Sequence, residues 1–222
     1  MKTKFQISES LRLGIILALS GGFMDAYSYV GRGHVFANAQ TGNIILLGIH
    51  LSEGNYPQMF RYFCPVVAFA LGIALAEVAR NHITKIHWRQ VSVLIEAVIL
   101  IYVSTLSQSA NLLANSLTSF ACGIQVQSFR KIHGNNIATT MCIGNLRSAT
   151  HWLVEYFETK NKVYLDRSKL YYGIIACFIT GAVIGYYFVM RFAEKSIVMC
   201  SVLLLIAFVL MNLEPNTDDL QM

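Results

Sequence analysis

Two short stretches carry most of the side chains with chemistry to offer. The first is Asn38-Ala39-Gln40-Thr41-Gly42-Asn43, four amide or hydroxyl side chains around a helix-breaking glycine, followed at once by Ile44-Ile45-Leu46-Leu47. The second runs from Thr139-Thr140 to Gly144-Asn145. A helix that begins at such a Gly-Asn step leaves backbone N–H groups unpaired and presents a positive dipole end, a site for anions and polar solutes. The nearby amides and hydroxyls add both donors and acceptors. On this reading Gln40, Thr41, Gly42, Asn43, Gly144, Asn145, Thr140 and Gln125 bind solute. The competing reading has Asn43 and Asn145 merely tying their segments to neighbouring helices.

The ionisable residues come next. Asp25 follows Gly21-Gly22, about 20 Å beyond Arg12 at a helical rise of about 1.5 Å per residue. An acid inside a membrane is costly unless paired, protonated or facing water, and is a functional candidate by default. The bland alternatives are a structural cap or a pair with Arg32. Glu96 reads as lying towards one end of its apolar segment, within reach of Arg89 or of water. Arg147, His151 and Glu155 recur at spacings of four, as an ion-paired solvated face or a solute-binding surface would. Asp25, Glu96 and Arg147 are thus the candidates for coupling or gating, while Glu77 and Arg80 read as an edge ion pair.

Other chemistry is not encoded. His82 and His87 flank a polar loop without an acid cluster. The five cysteines are odd in number, lie in apolar segments and form no Cys-Xaa-Xaa-Cys pair, so they read as packing residues. No metal quartet, no nucleophile with a base and no Gly-rich phosphate loop is present. The sequence therefore predicts no catalytic residue, no metal, no cofactor and no enzyme.

The elements that must position these residues are apolar. Of 222 residues 55% are hydrophobic and 13% charged, with a mean hydropathy of +0.51. Soluble domains carry about 25% charged residues, so the expectation is one polytopic, all-α transmembrane domain over 1–222. Residues 1–10 precede no Ala-Xaa-Ala cleavage site, and 11–30 reads as a permanent span rather than a signal peptide. Seven further apolar segments follow at 35–51, 60–79, 91–107, 112–129, 137–157, 170–190 and 197–213.

The eight segments read as two sets of four, with repeat halves at about 11–107 and 112–213. Gly22 matches Gly123, Gly42-Asn43 matches Gly144-Asn145, and Phe69-Xaa-Xaa-Gly72 matches Phe178-Xaa-Xaa-Gly181. Basic residues then choose a topology. If all eight segments cross, eight lysines and arginines lie on each side and Arg147 lies within a span. If 35–51 and 137–157 enter and return, thirteen lie inside and four outside. The second count predicts six transmembrane helices plus two re-entrant or broken helices, a 3+3 inverted repeat and a cytoplasmic N-terminus; a seven-span version, with one of 35–51 or 137–157 crossing, is the alternative. Such repeats place interrupted helices at the midplane of many transporters. Asn43 and Asn145 should then approach each other near the membrane centre.

Gly21-Gly22-Phe23-Met24-Asp25-Ala26-Tyr27-Ser28-Tyr29, followed by Val35-Phe36-Ala37-Asn38-Ala39-Gln40-Thr41-Gly42-Asn43, resembles the YoaK family of small bacterial membrane proteins, a group with a domain of unknown function. Gly123-Ile124-Gln125 and Thr139-Thr140 extend the resemblance into the second half. The family usually has a Thr-Gly step there, where this chain has Ile143-Gly144. The resemblance implies the fold, a bacterial cell membrane location and a permease role, and it implies no substrate. The expected function is therefore transport of a small polar or anionic solute, with proton coupling an option. The alternatives are a passive channel and a non-transporting regulatory or assembly partner. The partners are the lipid bilayer and a small solute. Self-association into a homo-oligomer is left open, and nothing points to nucleic acid.

Overall fold

The computed structural model describes residues 10–82, 88–132 and 134–213. Lys2, Lys4, Lys85 and His87 lie outside the described residues. Among the described residues there are eight α-helices: α1 (Leu11–Ala26), α2 (Gln40–Ser52), α3 (Tyr56–His82), α4 (Trp88–Thr105), α5 (Asn111–Ser128), α6 (Cys142–Thr159), α7 (Lys162–Phe192) and α8 (Val198–Leu213). A π-helical turn, Tyr27–Gly31, prolongs α1, and 3-10 turns join α4 to α5 and α7 to α8. A minimal antiparallel hairpin, β1 (Lys131–Ile132) with β2 (Asn135–Asn136), interrupts the all-α pattern before α6.

By length and composition, four helical stretches among the described residues can cross a membrane: Leu11–Gly31, Tyr56–His82, Trp88–Thr105 and Lys162–Leu213. The last contains both α7 and α8. The expected six crossings are thus met only at the coarser level of a polytopic helical membrane protein. Helix α5 has 18 residues but carries Asn111, Asn115, Ser116, Thr118, Ser119, Gln125 and Gln127, which lower its apolarity. Helix α2, at 13 residues, is about 20 Å long. That is shorter than the ~30 Å hydrocarbon core.

Helix α1 is the central element, buried on most sides, whereas α3, α4, α7 and α8 each turn an apolar stripe outward. Val98, Ile101 and Tyr102 on α4, and Ile179, Val183 and Tyr187 on α7, are exposed at helical spacing. Such stripes suit lipid, which leaves close helix contacts to small residues. Those contacts are made at glycine. A Cβ on Gly22 of α1 would collide with the Phe178 carbonyl of α7, and one on Gly181 of α7 with the Leu19 carbonyl of α1. In the other crossing, a Cβ on Gly123 of α5 would strike the Phe69 carbonyl of α3, and one on Gly72 of α3 the Phe120 carbonyl of α5. The two crossings are built alike, from matching positions of the two halves.

Ser10 starts α1 by accepting the Leu13 N–H at 3.3 Å, and Asn161 starts α7 by accepting the Val163 N–H at 3.0 Å. Arg32 is completely buried just after the π-turn. Its guanidinium donates to Tyr27 Oη, Asn111 Oδ1 and the carbonyls of Val103, Leu106 and Ser107. The guanidinium thereby ties the last turn of α4 and the residues just after it to the end of the π-turn. Arg32 binds these groups and does not pair with Asp25.

Candidate functional site

The helical pattern of the segment at 35–51 begins only at Gln40; residues 35–39 form a non-helical approach. The Gly33 carbonyl at its start accepts from the Arg61 guanidinium of α3. Near its end the His50 ring stacks on Tyr62, one residue along α3, with centroids 5.6 Å apart. Between these anchors the chain reaches the middle of α1, where Asn38 Nδ2 donates to the Gly21 carbonyl at 3.0 Å. The segment thus leaves one turn of α3, touches Gly21 and comes back to the same turn.

The second half repeats the arrangement. The hairpin rests on α7 through Tyr171 Oη, which donates to the Asn136 carbonyl at 3.1 Å. Helix α6 rests on the first turns of α7 through Ser168 Oγ, which donates to the Ala149 carbonyl at 2.8 Å. Between them, 139–140 abut α1: a Cβ on Gly21 would stand 3.1 Å from the Thr139 carbonyl and 3.3 Å from Thr140 Cα. Both non-helical stretches therefore meet α1 at Gly21.

One side chain organises each turn. Asn43 Oδ1 accepts the Phe36 N–H at 3.0 Å and Asn43 Nδ2 donates to the Phe36 carbonyl at 2.8 Å. Asn145 Oδ1 accepts the Ala138 N–H at 3.3 Å and its Nδ2 donates to the Ala138 carbonyl at 2.6 Å. Each asparagine clips the backbone seven residues earlier, satisfying groups that would otherwise be orphaned in an apolar interior. Asn43 also donates to Gln40 Oε1. Both are buried, so their amides are occupied by the protein itself.

Asp25 supplies the acid. Its Oδ1 accepts the Asn38 N–H at 2.7 Å, and the backbone of Ala37 and Ala39 lies beside this carboxyl. These groups lead into the first turn of α2, whose positive end attracts an anion. The group already placed at that helix start is therefore the Asp25 carboxyl. At Gly42, read from sequence as an unpaired donor, the N–H bonds the Ala39 carbonyl.

The remaining candidates fall in three groups. Gln40 Nε2 donates to the Ala37 carbonyl at 2.8 Å and to Ser119 Oγ at 3.3 Å, and Thr41 is exposed. Gln125 Nε2 donates to Thr139 Oγ1 at 3.2 Å and to the Leu17 carbonyl at 3.3 Å. Gln125 Oε1, Thr140 Oγ1 and Asn38 Oδ1 are buried without a protein partner among the described residues. Glu96 lies in the middle of α4, completely buried, and neither carboxyl oxygen has such a partner. It reaches neither Arg89 nor water. Gly144 is open to its surroundings, and Arg147 is exposed on α6. The Arg147–His151–Glu155 stripe forms no salt bridge among the described residues; the ion pairs there are His50–Glu53 and Glu77–Arg80.

Sequence reasoning missed Gly21, Ser119 and the backbone donor of Asn38. A backbone N–H has no residue signature, and a glycine that receives two loops looks like any packing glycine. Among the described residues no group of three or more His, Cys, Asp or Glu is placed to hold a metal ion.

A family model described as a protein of unknown function, DUF1275, matches residues 13–210. The transmembrane protein YoaK (UPF0700) of Bacillus subtilis strain 168 is 26% identical over 178 residues, spanning 76% of this chain and 79% of YoaK. No solved structure matches. The match over nearly the whole described length means that the chain belongs to the DUF1275 family of small bacterial membrane proteins.

Proposed function

We propose that this protein is a permease for a small polar solute, with Asp25 as a proton-operated latch at the start of α2. The observation that carries the reading is the buried Asp25 carboxyl accepting the Asn38 N–H just before a helix start deep in the fold. While charged, Asp25 fills the positive end of α2. Taking up a proton removes that charge and weakens its hold on the Asn38 N–H, freeing the turn to move and the helix end to receive solute. Solute would be held near Gly21 by the unspent atoms of Asn38, Thr140 and Gln125, with Gln40 and Thr41 at the margin. Glu96 is a second proton-carrying candidate, from the opposite side of the core.

The same reading takes the two halves as a 3+3 inverted repeat. Segments 33–52 and 131–159 then enter from opposite faces and return, as in transporters built from interrupted helices. The matched asparagine clips and the matched glycine crossings support it. In this scheme Asn43 and Asn145 are the hinges' clips rather than ligands. An internal carboxylate at the helix end shifts the preferred solute from anionic towards neutral, because an anion would have to displace Asp25.

The test is uptake of a radiolabelled panel of small polar solutes into proteoliposomes under an imposed proton gradient. The expected result is saturable, gradient-driven uptake of at least one solute, lost in Asp25→Asn while the variant keeps its elution profile and helicity. No gradient-driven uptake by folded protein across the panel would favour a non-transporting membrane partner, and uptake unchanged in Asp25→Asn would remove the latch.

A further inference from the structure

A second polar centre lies away from Gly21. A cavity of about 570 Å³ opens between the hairpin, the first turns of α6 and the start of α7. Arg147, Ser148 and His151 face it from α6, Arg167 from α7, and Asn135 and Asn136 from the hairpin. Among the described residues no carboxylate lines it. Neither arginine has an ion-pair partner among the described residues. Two guanidiniums, an imidazole, a hydroxyl and two amides converge without an acid to neutralise them.

The arrangement is held in place. Arg167 lies over the Trp152 ring at 4.7 Å, and Trp152 in turn stacks on Tyr164 with centroids 5.4 Å apart. Stacking fixes the plane of the guanidinium fork, which matches two oxygens of a phosphate at once. The hairpin that forms the far wall is fixed by the bond from Tyr171 to Asn136.

The cavity is also flanked by apolar grooves on both sides. One, of about 740 Å³, shares Arg147 and His151 and continues along Ile143, Leu146 and Val154 of α6. The other, of about 750 Å³, shares Arg167 and Asn135 and continues along Leu11, Ile15, Val163 and Leu170. Asp166 and Lys169 line this second groove as an opposed pair of charges. A free phosphate would fill the basic cavity but has no use for the grooves. A phospholipid uses all three.

We propose that this cavity binds the phosphate of an anionic phospholipid between Arg147 and Arg167, with one acyl chain laid in each flanking groove. Basic pockets at the cytoplasmic ends of membrane helices are suited to such headgroups, and the count of lysines and arginines puts this end of α6 and α7 on that side. The site is independent of the latch at Asp25.

The test is native mass spectrometry and thermal unfolding of the purified full chain in detergent with dimyristoyl phosphatidylglycerol, dimyristoyl phosphatidylcholine or inorganic phosphate. The expected result is bound phosphatidylglycerol with a raised unfolding temperature, at affinity about tenfold or more above phosphatidylcholine. Inorganic phosphate should have no effect alone. Arg147→Gln and Arg167→Gln should each weaken phosphatidylglycerol binding about tenfold, and Arg167→Lys should do so less. Leu146→Asn, at an exposed position, should weaken lipid binding while elution and helicity stay unchanged. Equal binding of both lipids, or binding indifferent to all of these variants, would overturn the proposal. Saturable binding of inorganic phosphate with no preference for lipid would also overturn it, in favour of a soluble oxyanion.

Discussion

Asp25 Oδ1 stands 2.7 Å from the backbone nitrogen of Asn38, thirteen residues further along the chain. That contact joins the central helix to the non-helical turn before α2. It combines a buried acid with the positive end of a helix. Hydrogen bonds to charged partners contribute about 1.5–3 kcal/mol each, roughly twice a neutral one. Asp25→Ala should therefore destabilise the protein by about 2–3 kcal/mol in denaturant unfolding. Asp25→Asn, which keeps an acceptor but not the charge, should cost less. Equal stability of the wild type and Asp25→Ala would mean that the contact does not hold the turn.

The asparagine clips make a paired prediction. Asn43→Leu and Asn145→Leu each strip partners from a backbone N–H and a backbone carbonyl, at about 1–3 kcal/mol per buried group left unsatisfied. Hydrogen exchange should accelerate at Phe36 in the first variant and at Ala138 in the second, each without the other. Asn43→Leu should cost more, because Asn43 also holds Gln40.

At the helix crossings, size decides. Gly22→Ala, Gly72→Ala, Gly123→Ala and Gly181→Ala each push a Cβ into a backbone carbonyl of the facing helix, and a backbone cannot swing aside as a side chain can. Each should destabilise by about 1–3 kcal/mol. Gly48→Ala and Gly173→Ala meet nothing and should be neutral or stabilising by up to about 1 kcal/mol, since alanine favours helix. Thermal unfolding in detergent separates the two groups.

Arg32 should not tolerate a conservative change. Its five bonds use the whole guanidinium fork, and an ammonium offers three donors from one point. Arg32→Lys should lose at least about 2 kcal/mol, and Arg32→Met more, because the Tyr27 and Asn111 side chains and the Leu106 carbonyl lose their guanidinium donor. The yield of folded protein and its unfolding midpoint report the difference.

The sequence made some of these relationships legible and hid others for physical reasons. Composition announced the membrane helices, and the recurrence of Gly22 at Gly123 and of Gly72 at Gly181 marked the sites where helices touch. The Gly-Asn steps marked both helix starts to within a few residues, since an amide beside a glycine is the cheapest way to satisfy a broken helix in an apolar setting. The partner of Asp25 was hidden because it is backbone. The stripe of Arg147, His151 and Glu155 suggested ion pairing by spacing alone, but Arg147 and His151 instead line a cavity shared with α7 and the hairpin. Glu96 reads as near-terminal because the apolar run starts only at Val91; the helix begins at Trp88, which centres it.

The account rests most on two segments that enter and return from opposite faces. The direct measurement is labelling by a membrane-impermeant maleimide of single cysteines placed at Val30, Asn55, Lys131 and Asn161 in a chain whose own five cysteines are replaced. In oriented vesicles, Val30→Cys and Asn55→Cys should react from the outside, and Lys131→Cys and Asn161→Cys from the inside. Reaction of Val30→Cys and Asn55→Cys from opposite faces, or of Lys131→Cys and Asn161→Cys from opposite faces, would contradict it.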